Sequence, residues 1–295
     1  MRVALVVNPF ATRVNEHRLE RVRAELERVG EIDVFLTERP GHATELVTEA
    51  GRGGAEAVVV FSGDGGFNEA LNGLESDVPI GFLPGGGTSV LPRALGLPRD
   101  PVAAARQVAD ALAASRARRV SLGRVNGRRF AFGAGIGLPA DVVRRVDDLG
   151  RVDGRRPSDL AFAGAVVRVL AAQRWLLEPE LEIAGAGRAA AIFVANGSPY
   201  TYAGRMPLPI ARRASFEGGL DFVAPVVVGP ASVPSTVARV LSGRVRGERF
   251  LRGHDLDQIE VVCDSPLPLH ADGEDLGDIE RAVFDAERAA VSVLV

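Results

Sequence analysis

The sequence predicts an α/β protein of two lobes: an N-terminal α/β domain with a mostly parallel sheet, residues 1–120, and a C-terminal, largely antiparallel β domain, residues 121–295. Three observations predict it. Short apolar runs alternate with helical-period segments through the first 120 residues, the order that builds a parallel sheet covered on both faces. Asn126-Gly127 then marks a two-residue hairpin between strand-like runs. From about residue 180, short strands and Gly/Pro turns dominate.

Each element has its own signal. "RVALVV" (2–7) reads as a buried strand, and 15–29 as a helix with Leu19, Val22, Leu26 and Val29 at helical spacing. "IDVFLT" (32–37), "AVVVF" (57–61) and "PIGFL" (79–83) read as strands; 44–52 and 67–75 read as helices. Asp100-Pro101 opens an Ala-rich helix over 100–115. A helical interval spans 139–177, interrupted by "GRVDGRRP". Within it "LAFAGAVVRVLAAQRWLL" (160–177) carries Arg168 and Arg174, so it reads as a buried or interface helix and not a membrane span.

Composition excludes several chemistries. A net charge of −3 argues against a general nucleic-acid binder. All 35 basic residues are arginine, so there is no Walker lysine and no Schiff-base lysine. Any phosphate clamp must use arginine, backbone N–H groups, helix N-termini or metal. Cys263 is alone, which rules out an intrachain disulfide, and no His/Cys cluster has zinc spacing. The N-terminal apolar run is too short for a signal peptide, and a cytoplasmic protein is expected.

Two glycine corners concentrate the chemistry. Gly63-Asp64-Gly65-Gly66 follows one apolar strand and "PGGGTS" (84–89) follows the next. Glycines let backbone N–H groups approach an anion without Cβ obstruction, and a following helix adds its positive end. In parallel sheets, ligands sit at the carboxyl ends of strands, where both corners and Asn8-Pro9 fall. Asp64 is placed to accept a proton or contact a metal, or, on the bland alternative, to cap the helix at 67. Asn68 and Glu69 could orient a metal or cap. Arg144, Arg145, Arg151, Arg155 and Arg156 form a cluster that is either a solvated run or a phosphate-reaching one.

"SGDGGFNEALNGL" followed by "FLPGGGTSVLPRALGLP" resembles the diacylglycerol kinase catalytic domain family, which includes bacterial lipid kinases and sphingosine kinases. "LTERPGHATELV" (36–47), "GIGLPADV" (135–142), "VANG" (194–197), "GGLD" (218–221) and "DGE" (272–274) extend the resemblance along the chain. It implies an ATP-dependent lipid kinase with Mg²⁺, working in a cleft between a nucleotide-binding α/β lobe and a β-sandwich-like, lipid-binding lobe, from which the last few residues return to the first. Asn8, Pro9, Thr37, Gly63, Gly65, Gly66, Glu69, Gly87 and Thr88 resemble the nucleotide-contacting positions. Asp64 resembles the proton acceptor of sphingosine kinases, and Glu274 the proposed base of bacterial diacylglycerol kinases, with Asp272 beside it against the nucleotide. Asp141 matches the residue facing the lipid head group, and Asp221 matches a motif near a structural magnesium. A lipid substrate further implies transient contact with a membrane surface. The oligomeric state stays open, a homodimer included.

The chain also departs from the family's pattern. Gly66 stands where the family usually has Thr, "FATRVNE" follows Asn8-Pro9 in place of glycines, and Ser89-Val90 replaces Asn or Asn-Asp. Two other readings follow: NAD kinase or phosphofructokinase chemistry, which uses related corners, and a nucleotide- or lipid-binding regulator without turnover. The apolar helix after Asp141 is expected to receive the lipid tail at Phe162, Val166 and Leu170.

Overall fold

The computed structural model describes residues 1–75, 77–150 and 159–295. The chain divides into two compact units: Met1–Val120 with Ala289–Val295, and Ser121–Arg288.

The first unit is a parallel βα array. Its strands are β1 (Arg2–Val7), β2 (Glu31–Leu36), β3 (Ala57–Ser62) and β4 (Ile80–Pro84). Its helices are α1 (Glu16–Leu26), α2 (His42–Arg52), α3 (Asp64–Gly73), α4 (Val90–Ala94) and α5 (Pro101–Ala113). The parallel strands run in the order β4-β3-β1-β2, and Val293 adds to β4 from the C-terminal segment. The chain steps outward from β1 to β2 and then returns to β3 on the other side of β1. That reversal makes a topological switch point, where α/β sheets bind ligands. Asn8 follows one of its two strands and Gly63 the other.

Local chemistry explains the helices. Asp100 accepts the Ala103 N–H (2.9 Å) with Pro101 behind it, so α5 starts where expected. Helices α2 and α3 cross closely, because a Cβ on Gly73 would collide with the Thr44 backbone. Thr44 and Thr48 hydroxyls donate to the carbonyls of Glu69 and Gly73 across that crossing. Helix α3 begins at Asp64 and not at 67, so the glycines of the first corner form its first turn and not a loop.

The second unit is built mostly of antiparallel strands. They are β5 (Arg118–Val125), β6 (Arg128–Phe130), β7 (Gly133–Ile136), β8 (Leu181–Ile183), β9 (Gly187–Ala189), β10 (Ile192–Ala195), β11 (Thr201–Ala203), β12 (Met206–Leu208), β13 (Leu220–Pro225), β14 (Phe250–Leu256), β15 (Gln258–Ala271) and β16 (Glu274–Val293). Helices α6 (Leu138–Asp148), α7 (Asp159–Ala172) and α8 (Val233–Leu241) complete it. The main order is β14-β13-β10-β7-β15-β16. Phe130 and Phe284 meet edge to face in its core with Ile136, Ile192, Val194 and Leu220. The β5–β6 hairpin turns at Asn126 and Gly127, both at positive φ, as a primed turn requires.

Three sequence expectations need correction here. The strands after 180 are not all short: β15 and β16 run for 14 and 20 residues, and a register shift between Val262 and Leu267 brackets Pro266. Helix α8 was not anticipated, although Val233, Val237 and Val240 carry helical spacing. The helix expected to reach 177 stops at Ala172. There the Trp175 N–H bonds Leu170 C=O and the Arg174 N–H bonds Ala171 C=O, with Arg174 in the left-handed position usually given to glycine.

Candidate active site

The two glycine corners lie against each other. A Cβ on Gly86 would stand 2.9 Å from Gly63 Cα, and one on Gly85 would stand 2.9 Å from Ser62 O. The Gly85 N–H donates to that same Ser62 O at 2.7 Å. A Cβ on Gly66 would collide with Ser62 Oγ. Packing alone therefore demands glycine at 66, 85 and 86. It makes no such demand at Gly63, where a Cβ would find ordinary contact at 3.5 Å, or at Gly87, where it would enter open space. At neither of those two does packing require glycine.

The loop after β1 is laced into the same place. Asn8 N–H bonds Phe61 O (3.0 Å), Asn8 Oδ1 accepts the Phe10 N–H (2.9 Å), and the Arg13 N–H bonds Gly85 O (2.8 Å). Pro9 is exposed. Ser89 is buried with a φ of 49°, a left-handed conformation that asparagine tolerates best among non-glycine residues, and its hydroxyl donates to Gly86 O. Thr88 C=O accepts from Arg93 (3.3 Å).

Asp64 opens α3, buried, and its Oδ1 accepts the Leu91 N–H of α4 at 3.4 Å. It thus ties the helix after the first corner to the helix after the second. Thr37 is buried at the end of β2, its N–H on Val7 O. Glu69 turns to the start of α2, where Oε2 accepts the Ala43 N–H (3.2 Å). Its carboxylate caps that helix and not the one it belongs to.

The sequence search also missed a cationic group beside the second corner. Arg13 reaches Arg99 C=O (3.0 Å), and Arg18 reaches Arg13 C=O (3.0 Å). Burial and the charges of Arg99 and Arg18 hold the Arg13 guanidinium below its ordinary pKa, and Asp100 offsets this only in part. Packed like charges of this kind favour an anion. The signal was available: "ATR" follows Asn8-Pro9 at the carboxyl end of β1.

In the second unit the expected residues take different roles. Asp272 takes a structural role. It sits at a φ of 50° with its carboxylate turned inward, accepting the N–H groups of Ala131 (2.6 Å), Phe132 (3.0 Å) and Gly133 (3.1 Å). At 1% exposure it anchors the 131–133 backbone. Glu274, just past the turn, is paired with Arg128. Two residues before Asp272, His270 is buried. Its Nε2 meets the Tyr200 hydroxyl at 3.0 Å, Nδ1 has no hydrogen-bond partner among the described residues, and burial pushes its pKa down to about 4.

Asp141 lies in the first turn of α6. Burial pushes its carboxyl above the ordinary value; Asp278, Asp275 and Glu180 push the same way, and Arg144 opposes them. Gln173 donates to its Oδ2 at 3.4 Å. Arg144 is bound to Asp275 and Asp278, so it is not a phosphate-reaching arginine. Arg151, Arg155 and Arg156, and the side chain of Phe162, lie outside the described residues. Leu170 belongs to a core cluster with Leu177, Ala190 and Val228, and Val166 packs partly against it, which leaves Leu170 no free face for a lipid tail. Asp221 is buried and accepts from His254 Nδ1 (2.8 Å) and the Asp255 N–H (3.0 Å). Among the described residues no group of three or more His, Cys, Asp and Glu side chains is arranged to hold a metal. Also among the described residues, no helix is long and apolar enough to cross a membrane.

Residues 2–125 match the diacylglycerol kinase catalytic domain. The chain is 33% identical to "Diacylglycerol kinase" of Bacillus subtilis (strain 168) over 141 residues, which are 46% of this chain and 46% of that protein. It is 29% identical over 266 residues to "Probable lipid kinase YegS-like" of Pseudomonas aeruginosa, covering 89% of this chain and 84% of that one. The crystal structure of a putative diacylglycerol kinase from Bacillus anthracis str. Sterne shares the fold, with a TM-score of 0.76 at 21% identity over 99% of this chain and 94% of that chain.

Proposed function

We propose, from the match of residues 2–125 to the diacylglycerol kinase catalytic domain and the likeness to lipid kinases along most of the chain, that this protein is an ATP-dependent lipid kinase of that family, acting on a hydroxyl of a diacylglycerol- or sphingosine-like acceptor. The observation that carries the reading is the apposition of the two corners at the switch point. Gly63 and Gly87 are glycines that packing does not require, and Asp64 stands at the head of α3, bonded to the Leu91 N–H of the helix after the second corner. Backbone N–H groups without side chains, a helix N-terminus and the Arg13–Arg18–Arg99 group together supply what a polyphosphate needs in a protein without lysine.

ATP is taken as its Mg²⁺ complex, the metal travelling on the phosphates as part of the substrate. The acceptor oxygen forms a bond to Pγ while the Pγ–O bond to the β-phosphate breaks, and ADP leaves with that electron pair. Asp64 takes the hydroxyl proton as the phosphoryl group transfers. A carboxylate suffices because deprotonation is late and catalysis of this class rests mainly on positioning and charge stabilisation. Asp141 reads the acceptor head group. A Glu274 base would first have to part from Arg128.

The test is incubation with γ-labelled ATP, Mg²⁺ and a total bacterial lipid extract, followed by identification of labelled lipids. A new phospholipid whose formation stops in Asp64→Asn is the expected result. Phosphorylation of NAD with no labelled lipid would replace this reading with NAD kinase chemistry. ATP binding with no turnover on any lipid would leave a regulator.

A further inference from the structure

Helix α6 joins two parts of the second unit. Its N-terminus is fixed to the sheet: the Gly137 N–H bonds Pro268 O at 3.0 Å, and a Cβ on Gly135 would stand 2.7 Å from Pro139 Cγ. Asp141 lies in this first turn. One turn on, the helix is held by a different contact. Arg144 Nε donates to Asp275 Oδ2 (2.7 Å) and an Nη donates to Asp275 Oδ1 (3.1 Å), a two-pronged pair; that Nη also reaches Asp278 Oδ1 (2.7 Å). Asp275 and Asp278 sit at the start of β16, immediately after the Asp272-Gly273 turn and Glu274. Residues 141 and 144 share a helix face, so whatever fixes one fixes the other.

We propose that Arg144 is a positioning residue for the acceptor: by clamping α6 to the β15–β16 hairpin it holds the Asp141 carboxylate in register with the 272–274 turn. The proposal rests on the reading of Asp141 as the acceptor contact. Ordinary exposed ion pairs contribute little. This one differs in geometry, since a planar guanidinium engages two carboxylates through three bonds and fixes orientation as well as distance. Asp275 is itself oriented, accepting the Gly277 N–H at 3.0 Å, and Arg144 holds its carboxyl below the usual range. The clamp also sets the charge around Asp141: Asp275, Asp278 and Glu180 act against its ionised form, and Arg144 is the cation that opposes them.

Steady-state kinetics separate positioning from plain stabilisation. Acceptor and ATP are varied independently in mixed micelles carrying dioctanoylglycerol in one arm and sphingosine in the other. Arg144→Gln should raise the KM for the acceptor about tenfold, as expected for a misplaced contact, and leave the KM for ATP within about twofold. Asp275→Asn should give the same split, and the double variant should be little worse than either single one. Arg144→Lys should recover only part of the loss, because an ammonium cannot make the two-pronged pair. An unchanged acceptor KM, or equal changes in both KM values, would overturn the proposal. If the unaltered protein phosphorylates neither lipid, the functional reading falls instead, and amide hydrogen exchange decides the clamp. Faster exchange over 138–148 and 274–279 in folded Arg144→Gln supports it; exchange identical to the unaltered protein overturns it.

Discussion

Two Asp-Gly pairs stand at the centre of the two units, and the fold uses them in opposite ways. Asp64-Gly65 opens helix α3 with the aspartate in helical backbone; Asp272-Gly273 makes a turn with both residues at positive φ. The Asp64 carboxylate accepts the Leu91 N–H at 3.4 Å, from a helix that follows a glycine corner. The Asp272 carboxylate accepts three backbone N–H groups at 2.6, 3.0 and 3.1 Å, all from the 131–133 stretch it holds in place. Both are buried and both look like site residues in sequence. What each carboxylate holds depends on where the neighbouring backbone points, and that is a tertiary property.

The largest expected effect separates the two outright. Asp64→Asn keeps an oxygen for the Leu91 N–H, so the fold should persist. It removes the proposed base, so kcat should fall by roughly 10²–10⁴ with ATP affinity kept. Circular dichroism and an ATP titration on the purified variant, beside a turnover assay, check all three. A fully active Asp64→Asn protein would transfer the base role to Glu274.

The second region should respond to pH through His270. Its pKa is about 4 in the fold and about 6.5 in the unfolded chain. Above pH 6.5 both states hold it neutral, and it has no effect on stability. Between 6.5 and 4 the unfolded state binds a proton that the fold refuses, so stability falls with pH by on the order of 3 kcal/mol. Urea unfolding at pH 7 and pH 4.5 should show a smaller difference in His270→Gln than in the unaltered protein. Equal slopes would mean that the ring is not confined as described.

Asp272→Asn is the direct counterpart of the Asp64 change, and its effect should fall on folding. The amide keeps one oxygen but presents an NH₂ to N–H donors, stranding at least one of them. A loss of about 2 kcal/mol is expected, read as a lower urea midpoint. If the variant kept its stability and lost nucleotide affinity, Asp272 would return to the nucleotide site.

The sequence made the first unit legible because local signals and the final structure coincide there. Asp100-Pro101 caps α5 and Asn126-Gly127 turns the first hairpin of the second unit, each within a few residues of chain. What stayed hidden depends on distant partners. Asp272 anchors residues some 140 positions earlier, Glu69 caps a helix from another helix, and Arg144 finds its carboxylates on β16. Arg174 in a left-handed cap defeats a rule that expects glycine there. The start of α3 was misread for a related reason: glycine disfavours helix in isolation, yet only glycine fits at 66 under the Ser62 hydroxyl.

The same corner supplies the smallest prediction, one that separates packing glycines from ligand glycines. Gly86→Val would drive its Cβ to 2.9 Å from Gly63 Cα, so the backbone at the corner must shift and stability should drop. Gly87→Val adds its side chain to open space in an unstrained backbone and should unfold at the same urea concentration as the unaltered protein. If a polyphosphate lies along this backbone, the new side chain stands where it must approach, and ATP affinity should fall about tenfold, or 1.4 kcal/mol. Isothermal titration with a non-hydrolysable ATP analogue measures this without turnover. Loss of affinity at 87 with stability intact, against loss of stability at 86, would place the nucleotide at the second corner. Unchanged affinity in Gly87→Val would take the second corner out of the nucleotide site.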